Sequence, residues 1–186
     1  MAGKLEIIEC LAHRIGDYHR AATVSIGAGC ANAQIITVQP HIKFAPRDAI
    51  TGALKKFNIL GESYRATSRI VGIQTPDNAH NVPPITEAEI NRYYLRELIQ
   101  IINPLMVITC GAEVTSLLRG RNTRILGRKF SVTDIPNCTF YSTLNPADYG
   151  FAKGDKHLKD QGGREWAALA DIYRELKEKL ERERWT

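Results

Sequence analysis

Long hydrophobic runs are missing from this 186-residue chain. Nothing approaches the ~20 consecutive apolar residues that a membrane-crossing helix needs, and Met1-Ala2-Gly3-Lys4-Leu5-Glu6 reaches an acid before a signal-like apolar stretch develops. A soluble protein inside the cell, without a membrane partner, is the expectation. Cysteine is sparse: Cys10, Cys30, Cys110 and Cys138 stand far apart with no C-x-x-C pair, which excludes a disulfide framework and the usual zinc and iron–sulfur spacings. All four are expected to be reduced and mostly buried. Also absent are G-x-x-x-x-G-K-[ST], H-E-x-x-H and G-x-S-x-G, so P-loop nucleotide hydrolysis, zincin chemistry and the common serine hydrolase arrangement lose support. Gly27-x-Gly29 lacks the third glycine of a dinucleotide fingerprint and precedes a predicted strand where that fingerprint requires a helix.

What is present fits one domain. Apolar residues make up 44% and charged residues 24%, a balance that excludes a disordered or fibrous chain, and the length matches the ~100–200 residues of a single domain. Residues 1–186 are therefore expected to share one core. The net charge is only +5, yet Arg119, Arg121, Arg124, Arg128 and Lys129 lie in a stretch without an acid and account for all of it. Such a segment suits an anionic partner, nucleic acid first among them; charge alone equally allows a solvated loop.

Hydrophobic periodicity gives the elements. Leu5, Ile8, Leu11 and Ile15 predict an amphipathic helix over Lys4 to Asp17. Strands are predicted at Ala22 to Ile26 and Gln34 to Val38, separated by small residues, and at Tyr64 to Ile73. Between the second and third, Pro46 starts a helix carrying Ile50, Leu54 and Phe57. Thr86-Glu87-Ala88-Glu89 is a capping box with Ile85 and Ile90 as its hydrophobic staple, opening a helix that Asn103-Pro104 ends. Leu105 to Thr109 reads as a strand covered on both faces, Gly111 opens a short helix to Leu118, and strands are predicted at Lys129 to Thr133 and Thr139 to Thr143. A last helix from about Arg164 carries Trp166, Leu169, Tyr173, Leu176 and Leu180 as one stripe. Alternating strands and helices predict an α/β fold, a three-layer α/β/α sandwich with a mostly parallel four-stranded central sheet. Ligands in such folds sit beyond the carboxyl ends of the strands, here after Val38, Ile73, Thr109 and Thr143.

Three stretches at those positions carry a resemblance. Glu97-Leu98-Ile99-Gln100-Ile101-Ile102-Asn103-Pro104-Leu105-Met106-Val107-Ile108-Thr109-Cys110-Gly111-Ala112-Glu113-Val114-Thr115-Ser116-Leu117-Leu118 resembles the signature E-L-x-x-I-x-P-K-x-I-V-x-L-G-x-x-A-x-x-x-L-L of the iron–sulfur-type members of the uracil-DNA glycosylase superfamily. Arg124 to Phe130 is similar to the R-G-K-x-F turn that follows it. Thr143-Leu144-Asn145-Pro146-Ala147-Asp148-Tyr149 is similar to the closing T-Y-H-P-S-Y. The likeness spans roughly Gln34 to Tyr149. It departs in two ways: Thr37-Val38-Gln39-Pro40-His41 stands where the family has G-E-A-P-G or G-Q-D-P-Y, without the acid, and Asn145 replaces the closing histidine. An amide before proline and an N-P closing motif are both similar to the mismatch-specific uracil/thymine branch. Positions resembling the third and fourth cluster cysteines fall near Ile73 and Tyr93, so no cluster and no other cofactor is expected.

The resemblance implies a monofunctional DNA glycosylase acting as a monomer on single- or double-stranded DNA, cytoplasmic or nucleoid-associated. Gln39 would hold the attacking water and Asn145 would stabilise the departing base; Val38, Pro40, His41, Phe44, Ser68 and Pro146 would line the base pocket, with Phe44 stacking on the base and Ser68 near its edge. Arg119, Arg121, Arg124, Arg128 and Lys129 would hold phosphates. The residues alone also allow plainer roles: Gln39 and Asn145 as turn residues before proline, Phe44 as core, Ser68 as an ordinary strand residue, His41 as a structural histidine. Two other functions compete: a glycosylase-fold binding protein without turnover, and a hydrolase or transferase of free nucleosides or nucleotides whose basic loop holds one phosphate.

Overall fold

The computed structural model describes residues 3–19, 25–40, 49–71, 87–122, 127–144 and 156–184. Helices α1 (Lys4–His19), α2 (Ala49–Lys56), α3 (Glu87–Ile102), α4 (Ala112–Arg119) and α5 (Lys156–Arg184) accompany strands β1 (Ser25–Gly29), β2 (Ile35–Gln39), β3 (Ser63–Val71), β4 (Met106–Cys110), β5 (Lys129–Phe130) and β6 (Thr139–Thr143). The result is an α/β fold whose single sheet has the order β1-β3-β2-β4-β6-β5. The four inner strands are parallel to one another, and the two edges run antiparallel. The sheet thus has six strands where four were expected, because β1 and β5 add themselves to the edges of the parallel core.

Alternation sorts the side chains to two faces. On one, Ile36, Val38, Tyr64, Ala66, Val107 and Phe140 pack with Ile8, Leu11 and Ile15 of α1, Leu95, Leu98 and Ile99 of α3, and Val114 and Leu118 of α4. On the other, Ile35, Met106, Ile108 and Cys110 pack with Ile50 and Leu54 of α2 and Trp166, Leu169 and Tyr173 of α5. The strand β4, Met-Val-Ile-Thr-Cys, is buried throughout, as a strand covered on both faces must be.

Helix α3 ends where the sequence predicts. Asn103 takes φ 51° and its N–H reaches Ile99 O at 2.8 Å, a left-handed cap that asparagine tolerates, and Pro104 cannot continue the helix. The capping box at Thr86 and its staple residue Ile85 lie outside the described residues, as does Pro46.

Other expectations change as well. Gly27, Ala28 and Gly29, read as a spacer, belong to β1 itself. Its backbone lies so close to β3 that a Cβ on Gly27 would fall 2.2 Å from Arg65 O and one on Gly29 2.6 Å from Ser63 O, with an irregular register between Ser25 and Gly27. Leu5 is 57% exposed, so the core stripe of α1 starts at Ile8. Cys10 is exposed while Cys110 is buried, and none of the four is in a disulfide. Strand β5 covers only Lys129–Phe130, followed by turns in which Val132 and Ile135 still reach the core.

Helix α5 begins eight residues before the predicted start and runs through Gly162 and Gly163. Its 29 residues span about 43 Å at ~1.5 Å per residue. Among the described residues no helix is long and apolar enough to cross a membrane.

Candidate functional site at the carboxyl ends of the parallel strands

From β2 the chain crosses to β3 on one side, then returns past β2 to place β4 on its other side. The connection that leaves β2 therefore runs to one side and the one that leaves β4 to the other, and ligands of open α/β sheets settle outside the carboxyl ends of the strands at such a switch point. Gln39 and Pro40 end β2 at this point, and Cys110 and Gly111 end β4.

The register aligns the strand ends. Gln39 pairs with Thr67, Val38 with Thr109 and Cys110 with Thr143; one step past Val38–Thr109, Gln39 comes level with Cys110. Thr67, Gln39, Cys110 and Thr143 thus form the last row of the sheet, all on the face covered by α2 and α5. Strands are spaced about 4.8 Å apart, which puts Gln39 and Thr143 roughly 10 Å from each other in the sheet plane.

Gln39 and Thr143 bring polar groups to this row. Gln39 is half-buried. Thr143 is buried, and its Oγ1 donates to Glu165 Oε2 of α5 at 2.8 Å; Gln161 Nε2 donates to the other oxygen, Oε1, at 3.2 Å. Two residues before Gln39 and on the same face, Thr37 is fully buried and its Oγ1 has no hydrogen-bond partner. A buried hydroxyl left unpaired costs about 1–3 kcal/mol, an expense that ordered water or a ligand group relieves.

The joint from β4 into α4 explains how the end of β4 is held. Gly111 takes φ 103°, in the left-handed region where glycine carries no Cβ penalty, and its N–H bonds Thr143 O at 2.8 Å. The hydroxyls of Thr109 and Thr115 share a hydrogen bond of 2.7 Å, and Thr115 Oγ1 donates to Gly111 O at 2.9 Å. Strand end, glycine and first helical turn are one hydrogen-bonded unit.

The residues singled out from sequence fall in three groups. Val38 is fully buried among the side chains facing α1, α3 and α4, so it supports the strand end through packing on the opposite face from Gln39. Pro40 is half-buried beside Gln39. Ser68, one residue past Thr67, is buried, and its hydroxyl donates to Pro40 O at 3.4 Å, tying the ends of β2 and β3 together. His41, Phe44, Arg124, Asn145 and Pro146 lie outside the described residues; Asn145 follows Thr143 by two positions in the chain.

Part of the basic segment is brought to this end of the sheet. Gly127 N–H bonds Ser142 O at 2.8 Å and Ser142 N–H bonds Arg128 O at 3.1 Å, while Lys129 pairs with Tyr141. Exposed Arg128 and Lys129 therefore flank the last residues of β6. Arg119 and exposed Arg121 belong to the other end of α4. There Gly120 caps the helix at φ 69°, Arg92 of α3 lies against it, and Arg96 donates from Nε and Nη2 to Leu118 O at 3.2 and 2.7 Å. Cationic donors on the last carbonyls are what a helix C-terminus favours.

Two chemical points follow. Among the described residues no group of three or more His, Cys, Asp or Glu side chains is arranged to hold a metal ion. Burial pushes the Cys138 thiol up to about 12, which keeps it protonated and weakly nucleophilic. Sequence reading missed Glu165: it lies beside Trp166 on a helix whose non-apolar faces read as solvated, and only packing against β6 distinguishes it from its charged neighbours. No protein-family model matches the chain, and no curated protein matches it.

Proposed function

We propose that the protein is a DNA glycosylase that hydrolyses the N-glycosidic bond of uracil or of another deaminated or modified base, with a three-layer α/β/α domain acting as a monomer. The observation that carries the reading is the position of Gln39: it ends the central strand β2 at the point where the crossovers reverse, level with the end of the strand that leads into Asn145. The resemblance of the motifs around Gln39 and Asn145 to the mismatch-specific uracil/thymine branch supports the same reading.

Chemistry on a base inside DNA requires the nucleotide to be flipped out of the stack, held, and read at its Watson–Crick edge. The bond to the sugar then breaks with its electron pair going to the base, and hydrogen-bond donors preset at the developing anion supply the stabilisation. Asn145 takes that role, Gln39 orients the water, and Arg121, Arg128 and Lys129 hold phosphates, contacts that position DNA without reading sequence. In this reading the protein works inside the cell and needs no cofactor.

Asn145→Ala is expected to lower the single-turnover rate of base release by about 10²–10³, the cost of removing one such donor, while DNA affinity stays within about twofold. Arg121→Ala is expected to do the reverse. Equal loss of rate and affinity from Asn145→Ala contradicts a leaving-group role. One observation favours a second reading, a DNA-binding protein of this fold without turnover: the end of β2 offers an amide, and no acid, between Thr37 and His41.

A further inference from the structure

We propose that Arg92 of α3 is a phosphate contact of the DNA-binding surface, beside Arg121, so that the nucleic-acid backbone lies against α3 and α4 and not against α5. The inference rests on the DNA-binding part of the reading above, which the glycosylase and the binding protein without turnover share, and deepens it.

The basic groups in the second half of α5 are matched by acids. Arg174 lies 2.6 Å from Asp171, Lys177 2.8 Å from Glu62, Lys179 3.8 Å from Glu183 and Arg182 3.7 Å from Glu178, so this surface offers little net charge to a polyanion. The side formed by α3 and α4 differs: among the described residues, neither Arg92 nor Arg121 has a hydrogen-bond or ion-pair partner.

Gly120 brings these two arginines together. Arg92 is half-buried and its side chain lies along the glycine, where a Cβ would fall 2.5 Å from Nη1, 3.4 Å from Cζ and 3.7 Å from Cδ. The guanidinium therefore rests on the backbone that leads directly into exposed Arg121. A cation at the end of a helix has a plainer task, which is to cap the last carbonyls. Here other groups perform it. Gly120 N–H bonds Leu117 O at 3.1 Å, while Arg96 gives Nε and Nη2 to Leu118 O at 3.2 and 2.7 Å and Nη1 to Asp134. Arg92 keeps a planar fork of N–H donors, positioned by packing. Phosphate is the anion whose oxygens such a fork matches in pairs, and a second positive charge alongside raises the local potential that attracts it.

The test is an anisotropy titration of a labelled duplex oligonucleotide over a salt series, with wild type, Arg92→Gln and Arg174→Gln, and thermal unfolding measured alongside. Both substitutions lower the net charge by one, but only Arg92 stands at the proposed contact. The slope of log K against log salt is expected to be less steep by about 1 in Arg92→Gln and unchanged in Arg174→Gln. An unchanged slope in folded Arg92→Gln, or equal reductions in both variants, overturns the assignment while leaving the DNA reading standing. If Arg92→Gln does not fold, labelling of wild type with an arginine-selective dicarbonyl, read residue by residue by mass spectrometry, decides the matter. Arg92 is expected to react in the free protein and to be protected by the duplex, with Arg174 reactive in both states. An Arg92 that is unreactive in the free protein, or that reacts equally with and without DNA, overturns the assignment. Wild-type binding that is absent or independent of salt overturns the DNA reading and this contact with it.

Discussion

Tyr173 and Gln34 stand 139 residues apart, and the tyrosine hydroxyl donates to the glutamine side-chain oxygen at 3.0 Å. The Glu62 carboxylate is a second acceptor for the same hydroxyl, and Lys177 Nζ donates to Glu62 at 2.8 Å. Burial first, and Glu62 second, push the Tyr173 phenol up, so it remains a donor. This knot fixes α5 over the amino ends of β2 and β3, just as Thr143 and Glu165 fix it over the carboxyl end of β6.

Tyr173→Phe therefore keeps the packing of a ring that is only 1% exposed and removes the donor that two acceptors share. Urea unfolding is expected to show a loss of about 1–3 kcal/mol with an unchanged m-value. Unchanged stability would mean that the hydroxyl contributes nothing to docking α5.

Acid titrates the same knot. The hydrogen bond from Lys177, then that from Tyr173, hold the Glu62 carboxyl below its ordinary value of 4.5. A folded-state value lower than the unfolded one gives stability that is present above about 4.5 and is lost as pH falls through the folded value. Glu62 is 39% exposed, so solvent screening keeps the effect small. Stability measured from pH 7 downward is expected to fall less steeply in Glu62→Gln than in wild type; superimposable acid limbs would rule out this contribution.

Gly120 closes α4 in the left-handed region, φ 69°, and a Cβ there would come within 2.5 Å of Arg92 Nη1. The Arg92 tip can move aside, but the backbone penalty of about 1–2 kcal/mol cannot be avoided. Gly120→Ala is expected to lower stability by roughly that amount, read from denaturant midpoints.

Arg121, Arg128 and Lys129 are all exposed. Anisotropy titrations of labelled duplex over a salt series are expected to show that each alanine substitution reduces the slope of log K against log salt by about 1, with no dependence on the base at the target position. A slope untouched by all three substitutions would separate the basic segment from DNA.

Much of the fold was legible because local signals agreed with packing. The Asn103-Pro104 stop, the apolar run of β4 and the Ile8, Leu11, Ile15 stripe each predict an element that tertiary contacts then bury. The failures have physical causes. The last helix was expected only from about Arg164, yet α5 starts at Lys156, passes through Gly162 and Gly163 although glycine costs about 1 kcal/mol in a helix interior, and buries Gly162. Gly27 and Gly29 read as a loop because glycine is depleted in strands, whereas β1 needs them for its close approach to β3. At the site, Gln39 was legible from a strand that ends in proline. Glu165 was not, since its meaning depends on Thr143, 22 residues earlier and on another element.

The most direct test of the account is single-turnover base release, at excess protein, from labelled oligonucleotides carrying uracil, hypoxanthine, xanthine or mismatched thymine in single and double strands. The account predicts abasic sites from at least one of these bases, formed by wild type and abolished or slowed at least about 10² in Asn145→Ala. Tight, salt-sensitive DNA binding without release of any base would contradict it and leave a protein that uses the same strand ends only for recognition.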